Sequence, residues 1–242
     1  MAGHSKWANI KHRKGKADAA KGKVFTKVTK EIINAVKQGG PDPKSNPKLR
    51  LALQKAKEVN LPNDNIERNI KKAMSKDQES FIEMTYELYG HGGVGILVDV
   101  MTDNKNRIAS DMRIATNKRG GTIATPGAVA FNFDKKGVIE VSKNQISEED
   151  LFNLISESGA EDLDQNEEQF LVITLPEDLT KVKESLENHK IQVGSAGFEM
   201  FPKTMIECSQ EEEKANLALV DWLEALDDVD QVHHNMSIQE DA

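Results

Sequence analysis

The sequence predicts an α+β protein of three domains. These are an N-terminal three-helix bundle, a discontinuous α+β middle domain, and a ferredoxin-like α+β domain inserted into the middle one. Three observations carry that prediction. Charge reverses sign near residue 77: residues 1–76 hold 19 Lys and Arg against 6 Asp and Glu, or +13, whereas residues 77–242 hold 13 against 34, or −21. Apolar periodicity changes at the same place, from three-and-four to two. Farther on, residues 137–203 carry the order β-α-β-β-α-β, between two segments that suit another sheet. The expected bounds are a flexible basic arm at 1–22, the bundle at 23–78, the middle domain at 79–134 with 204–238, and the insert at 135–203.

The helices come first. Residues 16–38 pass from an unpatterned stretch into a helix in which Phe25, Val28, Ile32 and Val36 recur at helical spacing. Gly39-Gly40-Pro41 ends it. Asn46-Pro47 supplies an N-cap with Pro at N1, and Leu49, Leu53 and Ala56 line one face of the helix it opens. A third helix runs from Leu61-Pro62 to about Met74, with Ile66, Ile70 and Ala73 on its stripe. Lys30, Lys37, Lys48, Arg50, Lys55, Lys57, Arg68, Lys71 and Lys72 fall on the outer faces of such a bundle.

The strands follow. In FIEMTYELY, Ile82, Met84, Tyr86 and Leu88 share a face. Gly90–Gly93 turns the chain into VGILVDVM, a more buried strand. Asn106–Arg119 is expected as a helix closed by Gly120-Gly121. Ala128–Phe133 is expected as a strand, followed by a DKKG turn. In the insert, VIEVS, AEDLDQ, QFLVITL and IQVGSAGFEMF are strands. SEEDLFNLISESG, with a Ser147–Asp150 capping box, and Leu179–His189 are helices. TMIEC (strand), Gln210–Leu226 (helix) and DVDQVHHNM (strand) then complete the middle sheet.

Composition excludes several classes. The 242 residues are 38% hydrophobic, 30% charged and 5% aromatic, which describes a soluble protein with aliphatic cores. One cysteine, Cys208, allows no internal disulfide and suits a reducing compartment; within TMIEC it reads as a buried, inert thiol. No apolar run approaches ~18 residues, so no membrane span is expected. The N-terminus lacks the apolar core of a secretory signal, and its lysines lack the amphipathic period of a transit peptide, so a cytoplasmic protein is expected.

The motifs give little chemistry. Gly90-His91-Gly92-Gly93-Val94-Gly95 fits G-x-G-x-x-G, but a strand follows where a dinucleotide site needs a helix, so a glycine-rich hairpin loop is expected. His4, His12, His91, His189, His233 and His234 show no metal-ligand spacing. His233 and His234 alternate along a strand, one expected exposed and one packed. Acid runs such as Glu148-Glu149-Asp150 and Glu211–Glu213 sit where helices begin, which the dipole favours. No triad, metal set or phosphate loop survives, so no catalytic residue, cofactor, metal or small-molecule substrate is expected. Asp103-Asn104-Lys105-Asn106-Arg107 lies between a strand and a helix. Its Asn104, Lys105, Asn106 and Arg107 are either cap chemistry or a secondary RNA or protein contact.

The basic arm is the strongest signal. Within Met1–Lys30, nine cations face Asp18 alone, giving +8 in a chain of net −8. A chain this acidic elsewhere does not need a basic arm to stay soluble, whereas phosphate backbones reward clustered cations through counterion release. Trp7 can stack on a base or tuck against the bundle. The expected nucleic-acid surface is Lys6, Trp7, Lys11, His12, Arg13, Lys14, Lys16, Lys21, Lys23, Lys27, Lys30, Lys55, Arg68, Lys71 and Lys72.

AGHSKWANIKHRKGKADAAKGKVFTK, KQGGPDPKSNPKLRLALQKAKEVNLPNDNIERNIKKA, YELYGHGGVGILVDVMTDNKNR and KRGGTIATPGAVAFNF together closely resemble the YebC/PmpR family, over essentially the whole chain. The resemblance implies a helical bundle followed by two α+β domains, the last ferredoxin-like and inserted in the other. It also implies a regulator rather than an enzyme. Bacterial members are described as DNA-binding transcriptional regulators, the PmpR type repressing a quorum-sensing regulator. A mitochondrial relative resembles a translational activator for a cytochrome oxidase subunit, and bacterial relatives are connected with ribosomes stalled on proline-rich stretches. Two partners therefore stay open, duplex DNA and ribosomal RNA, the latter with the ribosome itself. No segment reads as a recognition helix presenting Arg, Asn and Gln to base edges.

Overall fold

The computed structural model of the protein describes residues 21–75 and 81–238. Contacts divide the chain into two compact units. The larger reaches to Ala130 and takes in Ile206–Met236, and the smaller includes Phe131–Met205. The helical segment and the first sheet thus share one unit, although the sequence suggests a boundary at residue 78.

The larger unit begins with α1 (Lys21–Gly39), α2 (Pro47–Glu58) and α3 (Asn63–Ala73). Val28, Ile32, Ile33 and Val36 of α1 meet Leu49, Ala52 and Ala56 of α2 and Ile66 and Ala73 of α3 in one aliphatic core. Asn46 fixes the first corner. Its Oδ1 accepts the Leu49 N–H as the N-cap of α2, and its Nδ2 donates to the carbonyls of Ala35 at 2.7 Å and Gly40 at 2.8 Å. One buried amide therefore closes one helix and opens the next. Gly40 takes φ 83°, the left-handed turn that glycine adopts without strain.

The sheet of this unit has the order β3-β1-β2-β8 and is antiparallel, with β1 Ile82–Tyr89, β2 Gly95–Thr102, β3 Thr122–Ile123 and β8 Val229–His234. Strand β2 is central and buried on both faces, which explains its continuous apolar run. Helices α4 (Lys105–Arg119) and α7 (Gln210–Glu224) pack against one another, and α7 packs on β8. Leu88, Ile96, Val98, Ile108, Met112, Leu219 and Leu223 are buried there.

The smaller unit runs β4 (Phe133–Ser142), α5 (Glu148–Ser158), β5 (Ala160–Gln165), β6 (Gln169–Thr174), α6 (Leu179–Asn188) and β7 (Val193–Pro202). Its antiparallel sheet has the order β5-β6-β4-β7. Ile139, Val141, Phe170 and Val172 pack with Leu151, Ile155, Val182 and Leu186 of the helices. Val138, Leu171, Ile173 and Phe201 form a separate cluster. The alternate positions of β4 and β6 thus serve different cores.

Several local expectations are corrected. The DKKG turn does not form: Asp134–Gly137 lies inside β4, paired residue by residue with Met200, Glu199 and their neighbours in β7. A continuous ladder outweighs the local turn preference. Gly137 serves packing instead, since a Cβ there would stand 2.3 Å from Thr174 Oγ1. Ala128–Phe133 is not a strand before β4; the N–H groups of Gly127, Val129 and Ala130 go to the Glu87 carboxylate. TMIEC contributes only an isolated bridge between Ile206 and Met236, and Cys208 is half-buried outside any strand. Both His233 and His234 are buried, at 5% and 8% exposure, because β8 is covered on both faces. Ser147 caps α5 through the Asp150 N–H and also donates to the Asp150 carboxylate; the reciprocal capping box belongs to Ser209 and Glu212 of α7.

Candidate nucleic-acid interface

Lys6, Trp7, Lys11, His12, Arg13, Lys14 and Lys16 lie outside the described residues. Lys21 and Lys23 stand at the start of α1, a first turn without acids. The remaining bundle cations divide into two groups.

One group faces water. Arg68, Lys71 and Lys72 are exposed on α3, and Lys48, Arg50 and Lys57 on α2. Lys71 and Lys72 occupy the last turn of α3, where cations also complement the helix dipole. Arg50 reaches back to the carbonyls of Pro43 and Lys44, both at 2.9 Å, which orders its guanidinium on the surface.

The other group is engaged within the protein. Lys55 pairs with Glu31 at 2.9 Å. Burial raises the Glu31 carboxyl above its ordinary range, and Lys55 opposes that rise. Lys27 donates to the Asp230 carbonyl at 3.0 Å. Lys30 donates to the Asp227 carbonyl at 2.9 Å and to Asp228 Oδ1 at 2.8 Å.

Asp228 is the centre of this arrangement. It is 4% exposed. Besides Lys30, its Oδ2 accepts from Thr102 Oγ1 at 2.8 Å, from Arg107 Nε at 2.8 Å and from an Arg107 terminal nitrogen at 2.6 Å. Burial alone would raise its carboxyl. The donors from Lys30, Arg107 and Thr102 outweigh it and hold the group below the usual carboxylate range. The bundle, the start of α4 and the end of β2 are thereby joined through one carboxylate. Lys30, expected at the nucleic-acid surface, and Arg107, from the secondary RNA or protein candidate, converge on it. In the sequence Asp228 is simply one of two adjacent acids, Asp227-Asp228, in a chain with many acid runs.

The secondary candidate divides likewise. Asn104 is the N-cap of α4, its Oδ1 accepting the N–H groups of Asn106 and Arg107 at 3.0 Å each. Arg107 also binds Asp103 at 2.6 Å. Lys105 and Asn106 remain exposed.

The glycine-rich loop is committed internally. Asn216, fully buried on α7, accepts the His91 N–H at 2.7 Å and donates to the His91 carbonyl at 3.0 Å. Asn235 accepts the Gly95 N–H at 2.7 Å. A Cβ at Gly90 would stand 2.3 Å from Asn216 Oδ1, and one at Gly120 would stand 2.5 Å from the His91 ring. These glycines allow close packing, and the amides of Gly90, His91, Val94 and Gly95 already have partners, so the loop is no phosphate cradle. Among the described residues no group of three or more His, Cys, Asp or Glu could hold a metal ion. No described helix is long and apolar enough to cross a membrane.

Comparison with known proteins gives a consistent picture. Residues 5–76 match the TACO1/YebC protein N-terminal domain, and residues 81–236 match the TACO1/YebC second and third domain. A probable transcriptional regulatory protein of Protochlamydia amoebophila is 63% identical over 241 residues, covering 100% of this chain and 98% of the relative. A probable transcriptional regulatory protein of Chlamydia pneumoniae is 58% identical over 238 residues, covering 98% and 100%. The crystal structure of a conserved hypothetical protein from Aquifex aeolicus is similar at a TM-score of 0.84 and 41% identity, over 93% of each chain.

Proposed function

Since the chain belongs to the TACO1/YebC family, we propose that it is a non-enzymatic, DNA-binding regulator of gene expression that grips the phosphate backbone with its Lys-rich arm and helical bundle. The carrying observation is the division of charge, +13 on residues 1–76 against −21 on the rest. The cationic part draws in polyphosphate and the net charge of the remainder opposes it, so residues 1–76 supply the main electrostatic attraction. The names of the relatives support a regulatory role. The contact set in this reading is Lys6, Trp7, Lys11, His12, Arg13, Lys14, Lys16, Lys21 and Lys23, continued by Arg68, Lys71 and Lys72. The engaged lysines Lys27, Lys30 and Lys55 instead hold the bundle in place. The three-domain division belongs to the same proposal, with the bundle as the binding domain.

One observation favours a second reading, a ribosome-associated translation factor on ribosomal RNA. Of the 19 cations in residues 1–76, 16 are lysine. Lysine meets phosphate as a point charge and carries little information about base sequence.

Crosslinking in living cells, followed by sequencing of the attached nucleic acid, tests both. Reads at a few promoters, lost on deleting residues 2–22, are the expected result. Reads on ribosomal RNA, lost by the same deletion, would replace the DNA reading with the translational one. Reads unaffected by the deletion would remove the arm from the interface. In vitro the deletion is expected to weaken duplex binding by orders of magnitude with little change in melting temperature.

A further inference from the structure

Resting on that reading, we propose that the outward face of α4 is a second nucleic-acid contact, distinct from the arm and bundle, that donates to phosphodiester oxygens. Residues 77–242 hold 13 Lys and Arg, and five of them, Lys105, Arg107, Arg113, Lys118 and Arg119, lie on this one helix. Three of the chain's six arginines are among them. Such a concentration within a strongly acidic half is not what a merely solvated face requires.

The helix sorts these residues by face. Ile108, Met112, Ala115 and Thr116 are buried. Asn106, Ser110, Arg113 and Asn117 follow one another at spacings of four, three and four, so they form one exposed row, with Lys118 beside it. The row contains no acid. Every member can donate a hydrogen bond, and Arg113 offers the planar fork that suits a phosphate or a guanine edge. Arg107 is tied to Asp228 and Asp103, but no ion pair joins Arg113 or Lys118 to another described residue. The helix dipole does not account for the pattern. It favours cations in the last turn, where Lys118 and Arg119 lie, but not Arg113 in the helix interior or Lys105 in the first turn.

The helix also carries its own reporter. The Arg119 guanidinium lies 5.0 Å from the centre of the Trp222 ring on α7. Trp222 is one of two tryptophans in the chain, the other being Trp7. A ligand drawn to this end of α4 changes the environment of Trp222.

The experiment uses the full chain with an Arg113→Ala/Lys118→Ala double variant. Binding to a short duplex DNA and to a ribosomal RNA hairpin is followed across a salt series. The double variant is expected to lower the log–log salt slope by about two units with the melting temperature unchanged, while Arg113→Lys keeps the slope. With 5-fluorotryptophan in place of tryptophan, added nucleic acid is expected to shift the fluorine resonance of Trp222, and the double variant to abolish that shift. Lys181→Ala, on the smaller unit, is the control expected to alter neither. The nucleic acid whose slope depends on α4 is the one that seats there. An unchanged slope, with binding still lost on deleting residues 2–22, overturns the α4 contact and leaves the proposed function standing. No binding by the unaltered chain overturns both. A Trp222 response to polyglutamate rather than to nucleic acid overturns the α4 contact in favour of an acidic protein.

Discussion

Replacing Asp228 by Asn tests whether one carboxylate joins the bundle to the sheet. Asp228 is 4% exposed and accepts four charged or hydroxyl donors, from Lys30, Thr102 and twice from Arg107. Breaking a buried ion pair from one side costs roughly 3–5 kcal/mol, because the partner charge stays behind. Here each partner keeps a second bond: Lys30 to the Asp227 carbonyl, Arg107 to Asp103, and Thr102 to the Asn104 backbone. The Arg107 side chain is also 47% exposed and rehydrates readily. The loss therefore falls at the lower end, about 3 kcal/mol, or roughly 6–12 °C in melting temperature for a protein of this size. Urea unfolding in a Trp7→Phe background, read through Trp222, measures it within the larger unit. The pH dependence has a fixed sign. The Asp228 carboxyl is lower in the folded than in the unfolded chain. Its contribution is fully present above the unfolded value near 3.8 and is lost as pH falls through the folded value. The gap between the unaltered chain and Asp228→Asn should thus close in acid. A loss below about 1 kcal/mol at neutral pH would refute the reasoning, as would a gap that widens in acid.

Glu87→Gln should free the loop after β3. The carboxylate accepts the N–H groups of Gly127 and Val129 at 2.6 Å and of Ala130 at 2.8 Å. Burial would raise this carboxyl, but the three donors outweigh it and lower it, so its support is lost as pH falls through the folded value. We expect a loss of about 2 kcal/mol and faster hydrogen exchange at those three amides; unchanged protection would refute it. Gly90→Ala forces a Cβ to within 2.3 Å of Asn216 Oδ1 and should cost about 1–3 kcal/mol in urea unfolding. A second substitution, Asn216→Ala, should cost less in that background than alone, and simple additivity would show that the two positions do not meet.

Much of the fold was legible because its signals are local. The Asn46-Pro47 start of α2, the aliphatic stripes of the three bundle helices and the Gly120-Gly121 end of α4 each depend on neighbours a few residues away. DKKG misled for the converse reason. Its residues favour a turn in isolation, but β7, some 65 residues on, offers a ladder that pays more. The candidate site was legible as a charge distribution and not as a set of free groups. Nothing near Lys30 or Arg107 in sequence marks them as partners of Asp228, which lies 198 and 121 residues away. Of α4 only the first turn, Lys105, Asn106 and Arg107, stood out in the sequence as a secondary contact; Arg113 and Lys118 draw notice only once the fold shows which cations face outward.

The sequence by itself determined the elements and the opposition of a cationic beginning to an acidic remainder, since propensity, capping and net charge are properties of short stretches. Only the tertiary structure decided which cations are available. Availability depends on burial and on the distance to an acid, and folding sets both across separations that no local pattern spans: Lys30 and Arg107 are held by Asp228, while Arg68, Lys71, Lys72 and Arg113 face water.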